Sequence, residues 1–165
     1  MRKFADLMPF CSQARPKIRA CHPEAVTDIF KPERRSEIMR SIGARNTSPE
    51  IAVRSIVHRM GSRFRLHVSK LPGTPDIVLP RRRKIILVHG CFWHLHARCK
   101  KAALPKSNVA FWQHKLTHNR NRDRRNLRAL KELGWDVLVV WQCDLRNADL
   151  LVRKLERFLR ERRSR

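Results

Sequence analysis

Residues 84–99 read KIILVHGCFWHLHARC, an apolar run followed directly by three histidines, two cysteines and two large aromatic residues. The apolar run predicts a strand over Lys84–His89. So many potential metal ligands and proton carriers directly after one strand indicate a functional site rather than a packing element alone. Thirteen residues before His89, Asp76 opens another short apolar run, which could bring a carboxylate alongside. An acid, imidazoles and thiols together indicate a metal-dependent hydrolase with a second, structural metal.

The elements around this stretch are predicted in the order helix, helix, three strands, helix, strand, helix. The strands are expected at Phe64–Val68, Asp76–Leu79, Lys84–His89 and Asp136–Trp141. The helices are expected at Glu33–Ile42, from the N-cap Ser48 to Gly61 with Ile51 on the buried side, and at about Asn108–Leu133 and Asn147–Arg162. The nearly all-apolar strand at 136–141 is typical of one buried on both faces.

Two of these strands and the long helix between them form a βαβ unit. The strands at 84–89 and 136–141 should therefore run parallel, with their carboxyl ends at the same edge of the sheet. Cys143, just past the second strand, would then lie beside Cys91, just past the first. The expected fold is α/β, a mixed sheet of about four strands flanked by helices.

A set of three thiols and one imidazole results at this edge. Cys91, His96, Cys99 and Cys143 make a closed Cys₃His environment that suits structural Zn²⁺. The alternative is that Cys91 and Cys143 are ordinary small core residues. The sequence favours a zinc ion that staples the loop after residue 89.

A second predicted cluster contains Asp76, His89 and His94. Phosphodiester hydrolysis needs a Lewis acid, a group that activates water and help for the leaving oxygen. Asp76 could hold Mg²⁺, with the backbone carbonyl of Val88 as a second oxygen ligand, and an imidazole suits the proton transfers. As alternatives, Asp76 could be a turn residue and the histidines polar surface. Glu50, at a helix start, could complement the helix dipole or assist this site.

The charge balance indicates a polyanionic partner. Lysine and arginine number 38 against 14 acids, a formal net charge of +24, which nucleic acid would neutralise. The helix at 108–133 carries six basic residues that could track phosphates: His118, Arg120, Arg122, Arg124, Arg125 and Arg128. Aromatic residues could wedge between base steps, although one of each adjacent pair could be core: Phe92 and Trp93, Phe111 and Trp112.

The chain shows no pattern for a membrane or for export. No apolar run approaches the roughly 18 residues of a span, and Asp6 and Pro9 interrupt any signal-peptide core. The sequence therefore predicts a cytoplasmic protein. Residues 1–27 lack periodicity and are predicted to be a disordered extension, whereas residues 28–165 are predicted to form a single domain.

The chain closely resembles the very short patch repair (Vsr) DNA mismatch endonuclease family over roughly residues 28 to 160. The matching segments are RSEIMRSI at 35–42, NTSPE at 46–50, LPGTPD at 71–76, HGCFWH at 89–94, Phe111-Trp112, RDRR at 122–125, and ELGW at 132–135 through WQC at 141–143. Of these, the HGCFWH block is highly specific. One departure is that two residues, Ala97 and Arg98, separate His96 from Cys99, where some members have one.

The resemblance implies a restriction-endonuclease-like core and a defined reaction. The enzyme would nick one strand 5′ to the thymine of a T·G mismatch, the product of 5-methylcytosine deamination, to start very short patch repair. It would work alongside a DNA cytosine methyltransferase and a repair polymerase and ligase, as a monomer on the nucleoid.

The resemblance also implies roles for individual residues. Asp76 would bind Mg²⁺ with the Val88 carbonyl, His94 would activate water, and His89 and Glu50 would assist. The implied Zn²⁺ ligands are Cys91, His96, Cys99 and Cys143. The implied DNA contacts are Met39 and Ile42 at the minor groove, Phe92, Trp93 and Trp112 beside the mismatch, and Arg122 and Arg124 on the backbone.

Two alternatives stay open on the sequence. A restriction-type endonuclease would cut intact duplex, and a comparison of mismatched with perfectly paired DNA would distinguish it. A non-catalytic DNA-binding module would keep the zinc and the charge, and substitution of Asp76 would then leave DNA cutting unchanged.

Overall fold

The structure of the protein, a computed structural model, describes residues 45–161. The helices are α1 (Ser48–Arg59), α2 (Val109–Glu132) and α3 (Ala148–Arg160). The strands are β1 (Arg65–Leu66), β2 (Ile77–Leu79), β3 (Lys84–His89) and β4 (Asp136–Trp141). The predicted extension over residues 1–27 and the predicted helix over Glu33–Ile42, with Met39 and Ile42, lie outside the described residues.

The four strands form one mixed sheet in the order β1-β2-β3-β4. β1, β2 and β3 are antiparallel neighbours, whereas β3 and β4 run parallel, with His89 in register with Trp141. The predicted fold class and the predicted βαβ unit are both confirmed. The bounds of β3 and β4 are as predicted, but β1 is two exposed residues long and shorter than expected.

Helices cover both faces of this sheet, because the strand side chains alternate between them. Ile77, Leu79 and Ile86 face α1 and α3, where they pack against Val53 and Leu155. On the opposite face, Val78 and Ile85 pack against Leu130 of α2. β4 lies at an edge of the sheet formed by the described residues, and of its six residues one, Val140, is fully buried. The expectation that it is buried on both faces was therefore too strong.

The helix boundaries follow local chemistry, with two corrections in α1. Thr47 is the N-cap of α1, one residue before the predicted Ser48. Ile51, predicted to be buried, is 53% exposed, and the buried stripe uses Val53 and Val57. α2 ends beside Gly134, whose φ of +78° is open to glycine at low steric cost. Within residues 45–161, no helix combines the length and apolar character that a membrane span needs.

Candidate active site and metal centre

A cavity of about 1040 Å³ opens between the start of α1, the carboxyl end of β3 and the middle of α2. Its lining brings together residues that are far apart in the sequence: Glu50, His67, Asp76, Val88, His89, His94, Arg122 and Asp123, among others. All four predicted catalytic residues line this one cavity. They do not form one cluster there, but divide between two.

Asp76 lies at the start of β2, where the antiparallel pairing places it beside the end of β3. Its Oδ2 accepts a hydrogen bond of 2.8 Å from the Val88 backbone N–H. Burial raises the pKa of the Asp76 carboxyl, and the bond from Val88 opposes that effect. Asp76 groups with Glu50 and His67 as potential metal ligands, with one ligand atom from each of the three residues within 4.8 Å of the others.

Glu50 is 4% exposed and fully engaged in hydrogen bonds. Its Oε1 accepts from Thr47 Oγ1 at 2.8 Å, and its Oε2 accepts from the Asn46 N–H at 3.1 Å and from Arg54 Nη2 at 2.6 Å. Glu50 also lies in the first turn of α1, where a carboxylate complements the positive end of the helix dipole. The structural role open on the sequence is therefore present, and it holds Glu50 at the rim of the cavity.

His67 is a site residue that sequence reasoning missed. Arg54 Nη2 lies 2.9 Å from His67 Nε2. Because a guanidinium group can only donate, Nε2 must accept and the imidazole proton is assigned to Nδ1. The left-handed backbone of His67, at φ 46°, turns its side chain toward Arg54 and Glu50. A histidine in an expected strand gave no signal of this role.

The second cluster contains His89, His94 and Asp123. The two imidazole rings are stacked, with centroids 3.9 Å apart and planes 8° from parallel. His94 Nδ1 lies 2.5 Å from Asp123 Oδ2. Burial, with the neighbouring His94, lowers the pKa of His89 to about 4, so this imidazole is neutral near pH 7. Burial raises the pKa of Asp123, but the hydrogen bond from His94 and the nearby positive charges outweigh it and leave that pKa below the ordinary value.

Sequence reasoning gave Asp123 no role, although a signal was present. It is a lone acid within a long run of basic residues on α2. An acid kept in such a run is unusual where the surrounding face is suited to phosphate groups. The prediction that Asp76, His89 and His94 form a single cluster is thus corrected: Asp76 groups with Glu50 and His67, and the histidines group with Asp123.

The predicted Cys₃His set comes together as one group at the ends of β3 and β4. His96 Nδ1 lies 3.6 Å from Cys91 Sγ and 3.3 Å from Cys143 Sγ. One ligand atom from each of Cys91, His96, Cys99 and Cys143 lies within 4.8 Å of the others. Tetrahedral Zn²⁺ with bonds of about 2.0–2.3 Å places its ligand atoms roughly 3.5–3.8 Å apart, so the cluster fits such an ion after small shifts.

The thiols of this cluster crowd one another. Burial raises the pKa of Cys143 to about 11, and the neighbouring sulfurs add to that effect. The Cys99 pKa is instead lowered, first by the backbone N–H of Lys101. Without a cation between them the sulfurs cannot all ionise at low cost, whereas a bound divalent metal would stabilise the thiolates. Three thiols and one imidazole are a donor set that could hold such an ion.

An aromatic cluster lies beside the cavity. Trp93 lines the cavity, and its ring meets those of Phe92 and Trp112 edge to face. Trp112 is 6% exposed, whereas its neighbour Phe111 is 57% exposed. The alternative that one residue of the 111–112 pair belongs to the core therefore holds, and the buried residue is Trp112. Its ring is almost fully covered by its neighbours in this conformation.

The basic surface of α2 adjoins this site. Arg122 and Arg124 are both exposed, and the Arg122 guanidinium lies 3.8 Å from Asp123 Oδ1. Lys115 Nζ lies 5.6 Å from the centroids of the Phe111 and Trp112 rings and 5.7 Å from that of Trp93. Positive charge and aromatic surface thus meet at the mouth of the cavity, an arrangement suited to phosphates and bases.

Comparison with known proteins identifies the group to which the chain is related. A family model described as DNA mismatch endonuclease Vsr matches residues 27–101. Type II nicking enzyme V.XorIIP of Xanthomonas oryzae pv. oryzae is 50% identical over 134 residues, which cover 81% of this chain and 98% of the relative. The chain belongs to the Vsr family.

Other relatives of this Vsr family member agree. DNA mismatch endonuclease Vsr of Escherichia coli K12 is 40% identical over 126 residues, covering 76% of this chain and 80% of the relative. Type II nicking enzyme V.NmeAIP of Neisseria meningitidis is 40% identical over 136 residues, 82% of this chain and 96% of the relative. The protein is therefore an endonuclease, a hydrolase whose substrate is DNA. A non-catalytic binding module fits neither the family nor the cavity.

Proposed function

We propose that the protein nicks one strand of a DNA duplex 5′ to the thymine of a T·G mismatch left by deamination of 5-methylcytosine. The observation that carries this proposal is the cavity that a half-buried Asp76, hydrogen-bonded to the end of β3, lines together with His89, His94 and Asp123. The cavity opens beside exposed cations and aromatic rings, as a mismatch-directed nuclease needs. The names of the relatives, a mismatch endonuclease and nicking enzymes, support a single-strand cut at a mismatch.

Asp76 and Val88 are the residues that would hold the catalytic Mg²⁺. One carboxylate oxygen of Asp76, Oδ2, accepts the hydrogen bond from the Val88 N–H. The other oxygen is left to bind a hard cation such as Mg²⁺. In a strand, the N–H and C=O of one residue point to the same side, so we expect the Val88 carbonyl on the Asp76 side of β3. The ion would polarise the scissile phosphate and stabilise the developing charge.

We propose that His94 takes the proton of the attacking water. Asp123 engages its Nδ1, which leaves Nε2 as the nitrogen that faces a substrate. The carboxylate also stabilises the imidazolium that forms when Nε2 accepts a proton. The stacked His89 ring, neutral near pH 7, fixes the plane of His94 without adding a second charge. Glu50 assists by holding the start of α1 and Arg54 at the rim.

The cluster of Cys91, His96, Cys99 and Cys143 would hold a structural Zn²⁺. A Cys₃His set without an open position serves folding rather than chemistry. The ion would clamp the loop that carries His94 to the end of β4.

We propose that different residues contact the mismatch and the phosphate backbone of the DNA. Phe92 and Trp93 are the aromatic wedges beside the mismatch, and Arg122 and Arg124 contact the phosphate backbone. Trp112, which the resemblance implies as a third wedge, would need to move out from beneath them to act as one. Met39 and Ile42, outside the described residues, remain proposed minor-groove contacts.

The partners and location follow from the proposed lesion. A T·G mismatch of this origin requires a DNA cytosine methyltransferase upstream, and a nick requires a polymerase and a ligase afterwards. We propose that the protein works as a monomer on the nucleoid in the cytoplasm. Its endonuclease domain spans residues 28–165, in keeping with the family match that starts at residue 27.

Substitution of Asp123 tests the proposed orientation of His94. We expect Asp123→Asn to lower the nicking turnover by roughly 10²-fold, because an amide cannot stabilise the imidazolium and can select the wrong tautomer. DNA affinity and the thermal unfolding midpoint should stay close to wild type. Single-turnover kinetics with saturating enzyme measures the effect. Asp149→Asn, an exposed aspartate on α3, is the matched control and should cut at the wild-type rate.

A nicking assay tests the function itself. Denaturing gels would measure the cleavage of each strand in duplexes that differ at one position, T·G against T·A and C·G. The duplexes would have several flanking sequences and would be tested with Mg²⁺ or with a chelator. We expect one cut, in the thymine strand on its 5′ side, that depends on both the mismatch and Mg²⁺. Equal cutting of the paired duplexes would establish the restriction-type alternative instead.

A further inference from the structure

We propose that Trp141 is a positioning residue that couples the Cys91, His96, Cys99 and Cys143 cluster to the catalytic imidazole of His89. The proposal rests on the proposed function of His89 and His94. It assigns a role to a strand-end tryptophan whose apolar character, in the sequence, indicates only a core residue.

The sheet register places Trp141 between the two sites. His89 and Trp141 are partners in the parallel pairing of β3 and β4. Register partners on neighbouring strands project their side chains to the same face. Cys91 and Cys143 each follow their member of this pair by two residues. The Cys91, His96, Cys99 and Cys143 cluster therefore lies directly after the His89–Trp141 pair. A shift of either strand end would move both the cluster and this pair.

Ring contacts make the connection continuous. The His96 ring is stacked on Trp141, with centroids 4.0 Å apart and planes 6° from parallel. Trp141 in turn meets His89 edge to face, at 5.4 Å and 77°. His89 stacks on His94, which Asp123 holds on the far side. A row of four rings thus runs from a cluster ligand to the proposed general base.

Hydrogen bonds hold both ends of this row, whereas ring contacts hold the side chain of His89 in its middle. The N–H of His96 donates to the Cys91 carbonyl at 3.0 Å, and Asp123 belongs to the long helix α2. His89 has ring contacts on two sides, with His94 and with Trp141. Its orientation therefore depends on the packing of Trp141. A catalytic group displaced by an ångström can lose about 10²-fold in rate, so the effect on turnover should be measurable.

The experiment replaces the indole in the full-length, metal-loaded protein. Trp141→Leu and Trp141→Met remove the ring, and Trp141→Phe keeps an aromatic one. Trp135→Leu is the matched control, because Trp135 precedes the other end of β4 and packs under the Arg83 guanidinium. Four quantities are measured: zinc bound per chain, the unfolding midpoint, turnover and DNA affinity on T·G duplex, and the imidazole ¹⁵N resonances of His89 and His94.

We expect the ring-free variants to keep their zinc and DNA affinity but to lose about tenfold to hundredfold in turnover. Their His89 and His94 resonances should shift or broaden, Trp141→Phe should recover most of the turnover, and Trp135→Leu should match wild type. Wild-type turnover and unmoved resonances in either folded ring-free variant would overturn the proposal. Loss of zinc or of the fold in both would also overturn it, since Trp141 would then be structural alone. If wild-type protein fails to nick DNA, the proposed function fails, while the resonances still report whether Trp141 positions His89.

Discussion

Asp76→Asn is expected to abolish nicking while leaving the fold and DNA affinity intact. The amide oxygen can still accept the hydrogen bond from the Val88 N–H, so the substitution removes the charge without removing the contact. The carboxylate is then lost as a metal ligand and as the counter-charge for the ion. We expect a fall in turnover on the order of 10³-fold or more, since several kcal/mol of transition-state stabilisation depend on the bound ion. Single-turnover nicking of T·G duplex measures it.

Stability should change little or improve in this variant. Burial raises the pKa of the Asp76 carboxyl, which means that the folded state bears a cost for ionising it. A neutral amide avoids that cost. Asp136→Asn, at the opposite edge of the same sheet, is the matched control and should cut normally. Cutting by Asp76→Asn at a rate near wild type would exclude Asp76 as the metal ligand.

The long-range parts of this site could be predicted because a single topological rule determines them. A strand, a crossover helix and a second strand give a parallel pair, and this brings Cys143 to Cys91 from more than fifty positions away. The strand bounds at 84–89 and 136–141 were readable because those runs are apolar and end abruptly in polar residues. The same rule predicts that the site lies at the carboxyl ends of these two strands.

The rotation of each helix about its axis could not be read from its residues. Ile51 and Val53 are both apolar, and the one that faces the sheet depends on how α1 packs against β2 and β3. Adjacent residues on a helix point about 100° apart, so of Phe111 and Trp112 one had to face outward. Which one does so depends on the Trp93 and Phe92 rings, contributed by a different loop.

Two contacts of the site, those of Asp123 and of His67, escaped prediction for a related reason. Asp123 reaches His94 from the middle of α2, and His67 reaches Arg54 through a left-handed backbone angle. Neither contact follows from a sequence spacing or a strand rule. The sequence can only indicate such a residue by a charge that is opposite to those of its neighbours, such as an acid in a basic helix. This pattern identifies a candidate site residue but not its partner.

Loss of the thiol cluster should have the largest effect on stability. Cys91→Ser removes a fully buried sulfur from the centre of the set, so a bound Zn²⁺ would lose one of four ligands. Because metal binding free energy adds to folding free energy, we expect the unfolding midpoint to fall by at least about 10 °C. Prolonged treatment of wild-type protein with a zinc chelator should produce a similar fall. Calorimetry gives the midpoints, and mass spectrometry under native conditions gives the zinc content.

The pattern across variants separates a metal centre from ordinary packing. Cys21→Ser, which changes a cysteine that is not among the four predicted ligands, should keep one zinc per chain and the wild-type midpoint. Cys99→Ser, at a half-buried position, should lose zinc as Cys91→Ser does, although its sulfur contributes less to the core. If the thiols were merely buried apolar groups, the destabilisation would instead follow burial, and the chelator would leave the wild-type midpoint unchanged. A large fall for Cys99→Ser together with chelator sensitivity therefore requires a bound ion, whereas neither effect would occur in a cluster that binds no metal.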